Sequence, residues 1–220
     1  MNKKILIIAA HPDDEVLGCF GTVKKLIDEG YEGYTLILGE GKTSRGEGNE
    51  EIKKLHEEIK KANEVIGIKE VFIESLPDNS FDSIPLLDIV KVVEKYKNLI
   101  KPGIIFTHYE NDLNIDHRLT YQAVITATRP MSDEVVKEIY SFEILSSTEW
   151  NYPLSFSPDI YFDISDTLDK KIKAMSFYKS ELREYPHPRS LEGIELNAKY
   201  WGIRVGKKAV EAFKAVRVIK

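Results

Sequence analysis

Five residues that could do chemistry follow the first apolar run of the sequence. The run Ile5–Ile8 leads through two alanines into His11-Pro12-Asp13-Asp14-Glu15. The carboxyl end of a buried strand is where α/β sheets usually carry their active sites. Two neighbouring carboxylates there repel each other unless a cation compensates their charge, so Asp13 and Asp14 indicate a metal ion or a proton-transfer role. The imidazole of His11 favours the metal.

A third metal ligand can come from the segment 108–117, His-Tyr-Glu-Asn-Asp-Leu-Asn-Ile-Asp-His, which follows the fourth apolar run. His11 and Asp14 are spaced i, i+3, so both can project to one point as the chain turns into a helix. Both loops should open on the same edge of a parallel sheet. Two histidines and one carboxylate leave an open position on tetrahedral zinc, where a water becomes acidic near neutral pH. Asp13 would then act as the base.

The first motif also has a purely structural explanation. In that explanation His11 and Pro12 shape a strand-to-helix turn, Asp13 caps the helix, and Asp14 and Glu15 interact with the positive end of the helix dipole. Capping does not account for a second loop that combines acids with histidines at the end of another strand. We therefore favour the metal site.

Short apolar runs alternate with longer amphipathic stretches along the chain. The runs are typical of strands: Ile5–Ala10, Tyr34–Leu38, Val71–Ile73, Ile104–Thr107, Ile139–Phe142 and Ile160–Asp163. The stretches are typical of helices: Val16–Glu29, Glu50–Ile66, Leu86–Ile100, His117–Ala127, Ser165–Glu181 and one that begins near Leu191. This alternation predicts an α/β fold with a mostly parallel sheet and helices on both faces.

The length of the chain is sufficient for one domain over residues 1–220, and we expect its part from about 165 to 220 to be helical. Two segments depart from the alternation. The glycine-rich segment, residues 39–49, is expected to be a mobile loop at the edge of the crevice. The aromatic segment, about residues 146–158, must cover core, ligand or a partner subunit.

Charge and composition exclude several classes of function. The formal net charge is −5 at pH 7 and the lysines alternate with glutamates, so the sequence lacks the basic stripe expected of a nucleic-acid-binding protein. The N-terminal apolar run of about six residues is too short for a signal peptide or a membrane span. We expect a cytoplasmic protein without stable membrane insertion. Cys19 is the only cysteine, so no internal disulfide can form.

Three parts of the sequence resemble the LmbE/PIG-L family of zinc-dependent N-deacetylases. They are His11-Pro12-Asp13-Asp14-Glu15-Val16-Leu17-Gly18 with Gly21-Thr22, then Asp112-Leu113-Asn114-Ile115-Asp116-His117-Arg118, and, as weaker support, Tyr161–Ile164 with Leu168–Ile172 and Tyr178–Ser180. The resemblance implies a Rossmann-like fold. It also implies removal of an acetyl group from a small molecule, an N-acetylated amino sugar or its conjugate in a glycan, glycolipid or nucleotide sugar.

Transferred residue by residue, the resemblance makes His11, Asp14 and His117 the ligands of one divalent ion per chain, zinc or alternatively iron. Asp13 becomes the general base that deprotonates a metal-activated water. Asp116 is expected either to orient a metal ligand as a neighbouring carboxylate or to cap the loop.

The sequence departs from a common form of the family at Asn114. Many members have a histidine at this position, assigned to oxyanion stabilisation or proton delivery, and an amide can donate a hydrogen bond but cannot deliver a proton. The acid role then falls to Asp13, or to His108 or His187, which we also expect to bind substrate. For His187 the alternative is a histidine in a surface turn.

A second departure concerns a basic residue often found on the helix after the second strand, where this sequence has no arginine. Arg45 in the glycine-rich segment could substitute for it, or be a solvent-exposed charge. Trp150 could stack on a sugar ring, and its alternative is a lid packed on its own domain or at a contact of a homo-oligomer. Arg189 could bind a substrate phosphate, although an isolated arginine usually faces solvent.

Three other functions remain open at this point. An acidic pair after the first strand can also hold Mg²⁺ in a phosphoacceptor switch, but Mg²⁺ has little use for His11 or His117. A dinucleotide-binding oxidoreductase is disfavoured because no Gly-x-Gly-x-x-Gly follows the first strand. A family member that hydrolyses another amide or a thiol conjugate, or that has lost activity, stays compatible with Asn114.

Overall fold

The computed structural model describes residues 2–39 and 49–220, and within them no helix has the length and apolar character needed to cross a bilayer. The elements of this part follow in chain order. They are β1 (Lys4–Ala9), α1 (Asp14–Asp28), β2 (Glu32–Gly39), α2 (Asn49–Ile66), β3 (Glu70–Leu76), α3 (Leu86–Ile100), β4 (Ile104–His108), α4 (Ile115–Ala127), β5 (Glu138–Phe142), β6 (Ile160–Asp163), α5 (Leu168–Met175), α6 (Leu191–Val205) and β7 (Val210–Val218).

The strands form one seven-stranded sheet in the order β3-β2-β1-β4-β5-β7-β6. The five strands β1 to β5 run parallel, and β7 runs antiparallel to both of its neighbours, β5 and β6. This confirms the predicted mostly parallel α/β fold. The chain extends outward from β1 to β3 and then returns to the other side of β1 with β4. Such a reversal opens a crevice at the carboxyl ends of β1 and β4, where sheets of this kind bind ligands.

Both faces of β1 are buried because its apolar side chains alternate between two cores. Ile5, Ile7 and Ala9 belong to the core formed with α1, α2 and α5. Leu6 and Ile8 belong to the core under α3 and α4 on the opposite face. Each fully buried side chain of this size stabilises the fold by roughly 1.5–3 kcal/mol. The end of β1 is therefore a rigid support for the residues that follow it.

One glycine allows α1 to pack closely against the sheet. A Cβ atom built on Gly18 would lie 2.5 Å from the ring of Phe142 at the end of β5. The ring of Phe142 also packs edge-on against His108, with centroids 5.0 Å apart. The contact with Gly18 therefore lies directly behind a histidine at the end of β4. At this position of α1, only glycine leaves room for the ring of Phe142.

The six strands predicted from the apolar runs all form, but the C-terminal part needs correction. The chain from about 165 to 220 was expected to be helical, whereas Val210–Val218 is the strand β7, and the helix expected over Ser165–Glu181 is only Leu168–Met175. The sequence of β7 contains alanine, lysine and glutamate, which are uncommon in strands, so it did not indicate a strand. Its conformation is decided by backbone pairing with β5 and β6, which local propensity does not contain.

Candidate metal centre and active site

The loops after β1 and β4 meet at the carboxyl edge of the sheet. The two strands are parallel neighbours, so the chain leaves both on the same side. His11 lies in the turn after β1, Asp14 is the first residue of α1, and His117 lies in the first turn of α4. The fold thus brings together the three metal ligands predicted from the sequence.

Three ligand atoms of these residues form a nearly equilateral triangle. Nδ1 of His11 lies 3.3 Å from Nε2 of His117 and 3.5 Å from Oδ2 of Asp14. Nε2 of His117 lies 3.4 Å from the same oxygen. Bonds of about 2.0–2.2 Å to a tetrahedral ion place neighbouring ligands about 3.3–3.5 Å apart. The residues therefore fit one divalent ion and leave its fourth position to water or substrate.

Carboxylates orient both histidine rings. Nε2 of His11 lies 3.0 Å from Oδ2 of Asp116 and 3.3 Å from Oδ1 of Asp78, and Nδ1 of His117 lies 3.0 Å from Oδ1 of Asp112. A carboxylate at the far ring nitrogen fixes the tautomer and strengthens the facing nitrogen as a ligand. Asp116 was expected to orient a ligand or cap the loop, and the structure places it against His11, while Asp112 takes His117.

Asp112 is itself held by the beginning of the aromatic segment. The hydroxyls of Ser147 and Thr148 donate hydrogen bonds to its carboxylate, and the backbone N–H of Asn114 donates a third at 2.8 Å. Burial acts against ionisation, but the hydrogen bond and charge of His117 prevail and lower the pKa of Asp112 to about 2. The carboxylate therefore stays ionised beside the ligand that it orients.

The same carboxylates set the protonation of the ligands. Burial disfavours the charged form of His11, yet its hydrogen bonds to Asp116 and Asp14 outweigh burial and raise its pKa to about 10. Burial also opposes protonation of His117, whose pKa is raised by Asp14 and Asp112. Burial would raise the pKa of Asp14, but the histidines around it hold that pKa well below its usual range. A metal ion would displace protons from the histidines and none from Asp14.

Asp13 lines the site from an unusual backbone conformation. Its φ is 90°, a region that aspartate enters more readily than most side chains. Its side chain makes no capping hydrogen bond to α1, so the capping explanation of this residue is wrong. Oδ2 of Asp13 instead accepts a hydrogen bond from Nη1 of Arg189 at 3.2 Å. Burial raises the pKa of Asp13 well above its usual value, although the charge of Arg189 acts against that rise.

Glu15 supports the turn that presents Asp13. Its Oε2 accepts a hydrogen bond from the backbone N–H of Asp13 at 3.1 Å. Its Oε1 accepts one from Nδ2 of Asn63 at 3.3 Å and one from the hydroxyl of Tyr178. These side chains are buried, and burial raises the pKa of Glu15 to about 7. The last acid of the motif thus anchors the turn to α2 and to the segment after α5.

A polar pocket opens beside the ligand triangle. Arg189, predicted to bind a substrate phosphate, lies in this pocket, but its Nη1 donates to Asp13 and its Nε donates to Oγ of Ser146 at 2.8 Å. A phosphate would have to compete with these partners. Within the described part of the chain, the lining residues are His11, Pro12, Asp13, Asp14, Leu55, Asp78, Asn79, Asn114, Glu181 and Arg189.

Asn114 lines the pocket and caps α4. Its Oδ1 accepts a hydrogen bond from the backbone N–H of Asp116 at 2.8 Å, and its Nδ2 donates to Oδ1 of Asn79 at 3.2 Å. The carbonyl is thus used as a helix cap, and the NH₂ group belongs to the pocket wall. A catalytic role for Asn114 stays a prediction.

His108 lies behind the metal site. It has no exposed surface, its ring stacks on that of His117 with centroids 4.0 Å apart, and its Nε2 accepts the backbone N–H of Ala10 at 2.8 Å. Burial lowers its pKa well below the usual value, so the ring is neutral. A side chain without exposed surface cannot contact substrate, so the predicted substrate-binding role is corrected to support of the ring of His117.

Trp150 and His187 form a rim next to Arg189. Their rings pack edge to face, with centroids 5.7 Å apart and an angle of 82°, and Nδ1 of His187 accepts the backbone N–H of Arg189 at 3.1 Å. Trp150 is 41% exposed, so part of its ring is accessible. Both residues stay candidates for substrate contact, and Arg45 lies outside the described residues.

Three carboxylates of the site were not among the predicted residues. The sequence could have indicated Asp112, because it is an acid in the same segment, 108–117, as His117. It could also have indicated Asp78, because this acid follows the end of β3 on the sheet edge where the other loops open. It could not have indicated Glu181, since this acid belongs to the segment between α5 and α6, and only the path of that segment over the sheet brings it to the pocket, where it lies 3.6 Å from Arg189.

The chain matches the family model of the GlcNAc-PI de-N-acetylases, PIG-L, over residues 6–128. The chain belongs to this family. The matched residues run from β1 to α4 and include the whole of both ligand-bearing loops. This confirms the resemblance drawn from the two motifs.

Curated relatives of the chain are deacetylases. Diacetylchitobiose deacetylase of Thermococcus kodakarensis is 28% identical over 229 residues, which are 97% of this chain and 83% of the relative. Probable N-acetyl-alpha-D-glucosaminyl L-malate deacetylase 2 of Bacillus cereus is 27% identical over 191 residues, 82% of this chain and 84% of the relative. This PIG-L family member is an N-deacetylase, as predicted.

A solved structure shows the same fold. N,N'-diacetylchitobiose deacetylase from Pyrococcus horikoshii aligns with a TM-score of 0.77 and 22% sequence identity, over 98% of this chain and 84% of that chain. The LmbE-like architecture is thereby confirmed.

Proposed function

We propose that this chain removes the acetyl group from an N-acetylated amino sugar or its conjugate, with one zinc ion held by His11, Asp14 and His117. The proposal rests on one observation: three ligand atoms at the spacing of a tetrahedral ion lie beside Asp13, a buried carboxylate that caps no helix. The relatives named for diacetylchitobiose and N-acetylglucosaminyl malate support the substrate class.

The donor set favours zinc over magnesium. Two imidazoles and one carboxylate are typical ligands of a catalytic zinc ion, and iron(II) accepts the same set. Mg²⁺ prefers oxygen ligands and octahedral geometry. The same donor set argues against the phosphoacceptor alternative, which needs Mg²⁺ at this site.

Asp13 performs both proton transfers in the proposed reaction. The metal ion, when bound, polarises the acetamide carbonyl and makes a water molecule more acidic. Asp13 accepts the proton of this water as its oxygen bonds to the carbonyl carbon. It then donates the same proton to the amide nitrogen as the C–N bond breaks, which yields the free amine and acetic acid, and the acid loses its proton to solvent as acetate. A raised pKa suits a group that must hold a proton between two steps.

Other residues hold the side chains of the site in place or bind the substrate. Arg189 keeps the carboxylate of Asp13 in place through the contact of 3.2 Å, and Asp116 keeps the ring of His11 in place. The NH₂ group of Asn114 donates a hydrogen bond toward the negative charge that develops on the carbonyl oxygen. The exposed part of Trp150 packs on the apolar face of the sugar ring.

The proposal is tested by measuring metal content and acetate release together. Zinc-loaded and metal-stripped protein are incubated with N-acetylglucosamine, diacetylchitobiose and, as an amide without a sugar, N-acetyl-lysine. We expect acetate from the sugars with loaded protein alone. His117→Ala should lose both the ion and the activity, while the matched control His56→Ala, outside the ligand set, should keep them. Full activity of the stripped protein, or an unchanged ion in His117→Ala, would refute the proposal.

A further inference from the structure

The charges of the pocket restrict what can be attached to the acetylated sugar. In the part of the chain that the structure describes, four carboxylates and one guanidinium line the pocket: Asp13, Asp14, Asp78, Glu181 and Arg189. Even with a divalent cation in the ligand triangle, the formal charges of this wall do not become positive. An anionic group of a substrate would therefore enter a site that already holds an excess of anions.

Arg189 does not offset this excess, because its charge is already shared between two carboxylates. Its Nη1 lies 3.2 Å from Oδ2 of Asp13 and 3.6 Å from Oε2 of Glu181. Its Nε donates to Oγ of Ser146 at 2.8 Å, which fixes the plane of the guanidinium. The charge of Asp13 raises the pKa of Arg189 further, against the effect of burial. To pair with a substrate anion, Arg189 would have to leave the general base.

Glu181 is the acid of this group that has no part in the proposed chemistry. Its side chain is 10% exposed and lies on the pocket wall, where the charge is only weakly screened by solvent. A phosphate or carboxylate next to it would be repelled by this like charge. Such a repulsive element is a common way to exclude a competing ligand.

We infer that this deacetylase acts on neutral N-acetylated glycans and discriminates against conjugates that carry a phosphate or carboxylate next to the acetylated sugar, with Glu181 as the residue that determines this specificity. The inference rests on the proposed function, because it concerns the same pocket. It narrows the substrate class from amino-sugar conjugates in general to those with an uncharged aglycone.

The test compares kcat/KM of the zinc-loaded full chain on three probes by acetate release. Diacetylchitobiose is the neutral probe, and N-acetylglucosamine 1-phosphate and the malate conjugate of N-acetylglucosamine are the anionic ones. We expect kcat/KM for the neutral probe to exceed the others at least about tenfold. Equal or faster turnover of the anionic probes overturns the inference while the proposed function stands. Absence of acetate from all three refutes the proposed function instead.

The role of Glu181 is tested by the ratio of the two kcat/KM values, which a partial loss of folded protein does not change. Glu181→Gln keeps the shape and removes the charge, and it should raise the anionic-to-neutral ratio by roughly tenfold. Glu184→Gln is the matched control, since Glu184 is exposed on the same segment, and it should leave the ratio unchanged. A ratio that does not move in Glu181→Gln, or that moves equally in both variants, overturns the assignment.

Discussion

Replacing Asp13 by asparagine removes a proton acceptor and almost nothing else. Asparagine has the same shape and also tolerates the positive φ of 90° found here. The backbone N–H of this residue would still donate to Glu15. None of the three ligand atoms of the metal belongs to Asp13. The variant therefore separates proton transfer from metal binding and from folding.

The structure gives the expected size of each effect. Loss of a general base costs about 10²–10⁴-fold in turnover. Arg189 loses the partner at 3.2 Å but keeps Glu181 at 3.6 Å and the hydroxyl of Ser146. We therefore expect a decrease of at most about 2 kcal/mol in the free energy of unfolding, below the 3–5 kcal/mol typical of a buried charge left unpaired.

Three measurements on Asp13→Asn check this reasoning: zinc per chain, kcat by acetate release, and urea unfolding. Zinc should stay at the wild-type level, and Asp133→Asn, an exposed aspartate far from the pocket, should behave like wild type. In the wild type, kcat/KM should fall on the acid side at a higher pH than an ordinary aspartate would give, because Asp13 has a raised pKa. Turnover within tenfold of wild type, with zinc bound, would show that the base is another residue.

Asp112→Asn should weaken zinc binding about 10–100-fold, because Asp112 orients the ring of His117 from 3.0 Å; competition with a chelator measures this, and unchanged affinity would contradict the role. Zinc binding to metal-free protein at pH 7 should release at least about one proton per ion, because the pKa of His11 is about 10 and that of His117 is raised. Affinity should therefore rise with pH, and calorimetry in buffers of different ionisation enthalpy counts the protons; a count near zero is the contrary result. Gly18→Ala should destabilise the fold by about 1–3 kcal/mol in urea, because the new methyl group would lie 2.5 Å from the ring of Phe142; equal or higher stability would mean that α1 can move away freely.

The three candidate metal ligands, which the fold brings together, could be predicted because their signals are local. His11 and Asp14 follow an apolar run within a few residues, and His117 follows another such run, so strand ends and ligand types are both visible in short windows. The inference that both loops share one edge needs only the rule that strands joined by helices run parallel. The capping role of Asn114 is local as well, since its Oδ1 bonds a backbone N–H two residues on.

The sequence could not predict which histidine Asp112 and Asp116 each orient. Both acids lie within five residues of His117, and neighbours on a helix point in different directions. Asp116, adjacent to His117 in sequence, turns toward His11. The loop that folds back onto Ser147 and Thr148 brings Asp112 to His117 instead. Distance along the chain therefore does not tell which histidine each acid orients.

By itself, the sequence determined the alternation of buried strands and amphipathic helices, the position of the first motif at a strand end, and the three candidate metal ligands. These features depend on side-chain type and short-range spacing. Only the tertiary structure decided that β7 is a strand, that Asp112 orients His117, and that Arg189, paired with Glu181, reaches Asp13 from 176 positions away in the sequence. The physical reason is that these last contacts depend on how the chain crosses the sheet, which is set by the summed packing of both cores and by no local pattern.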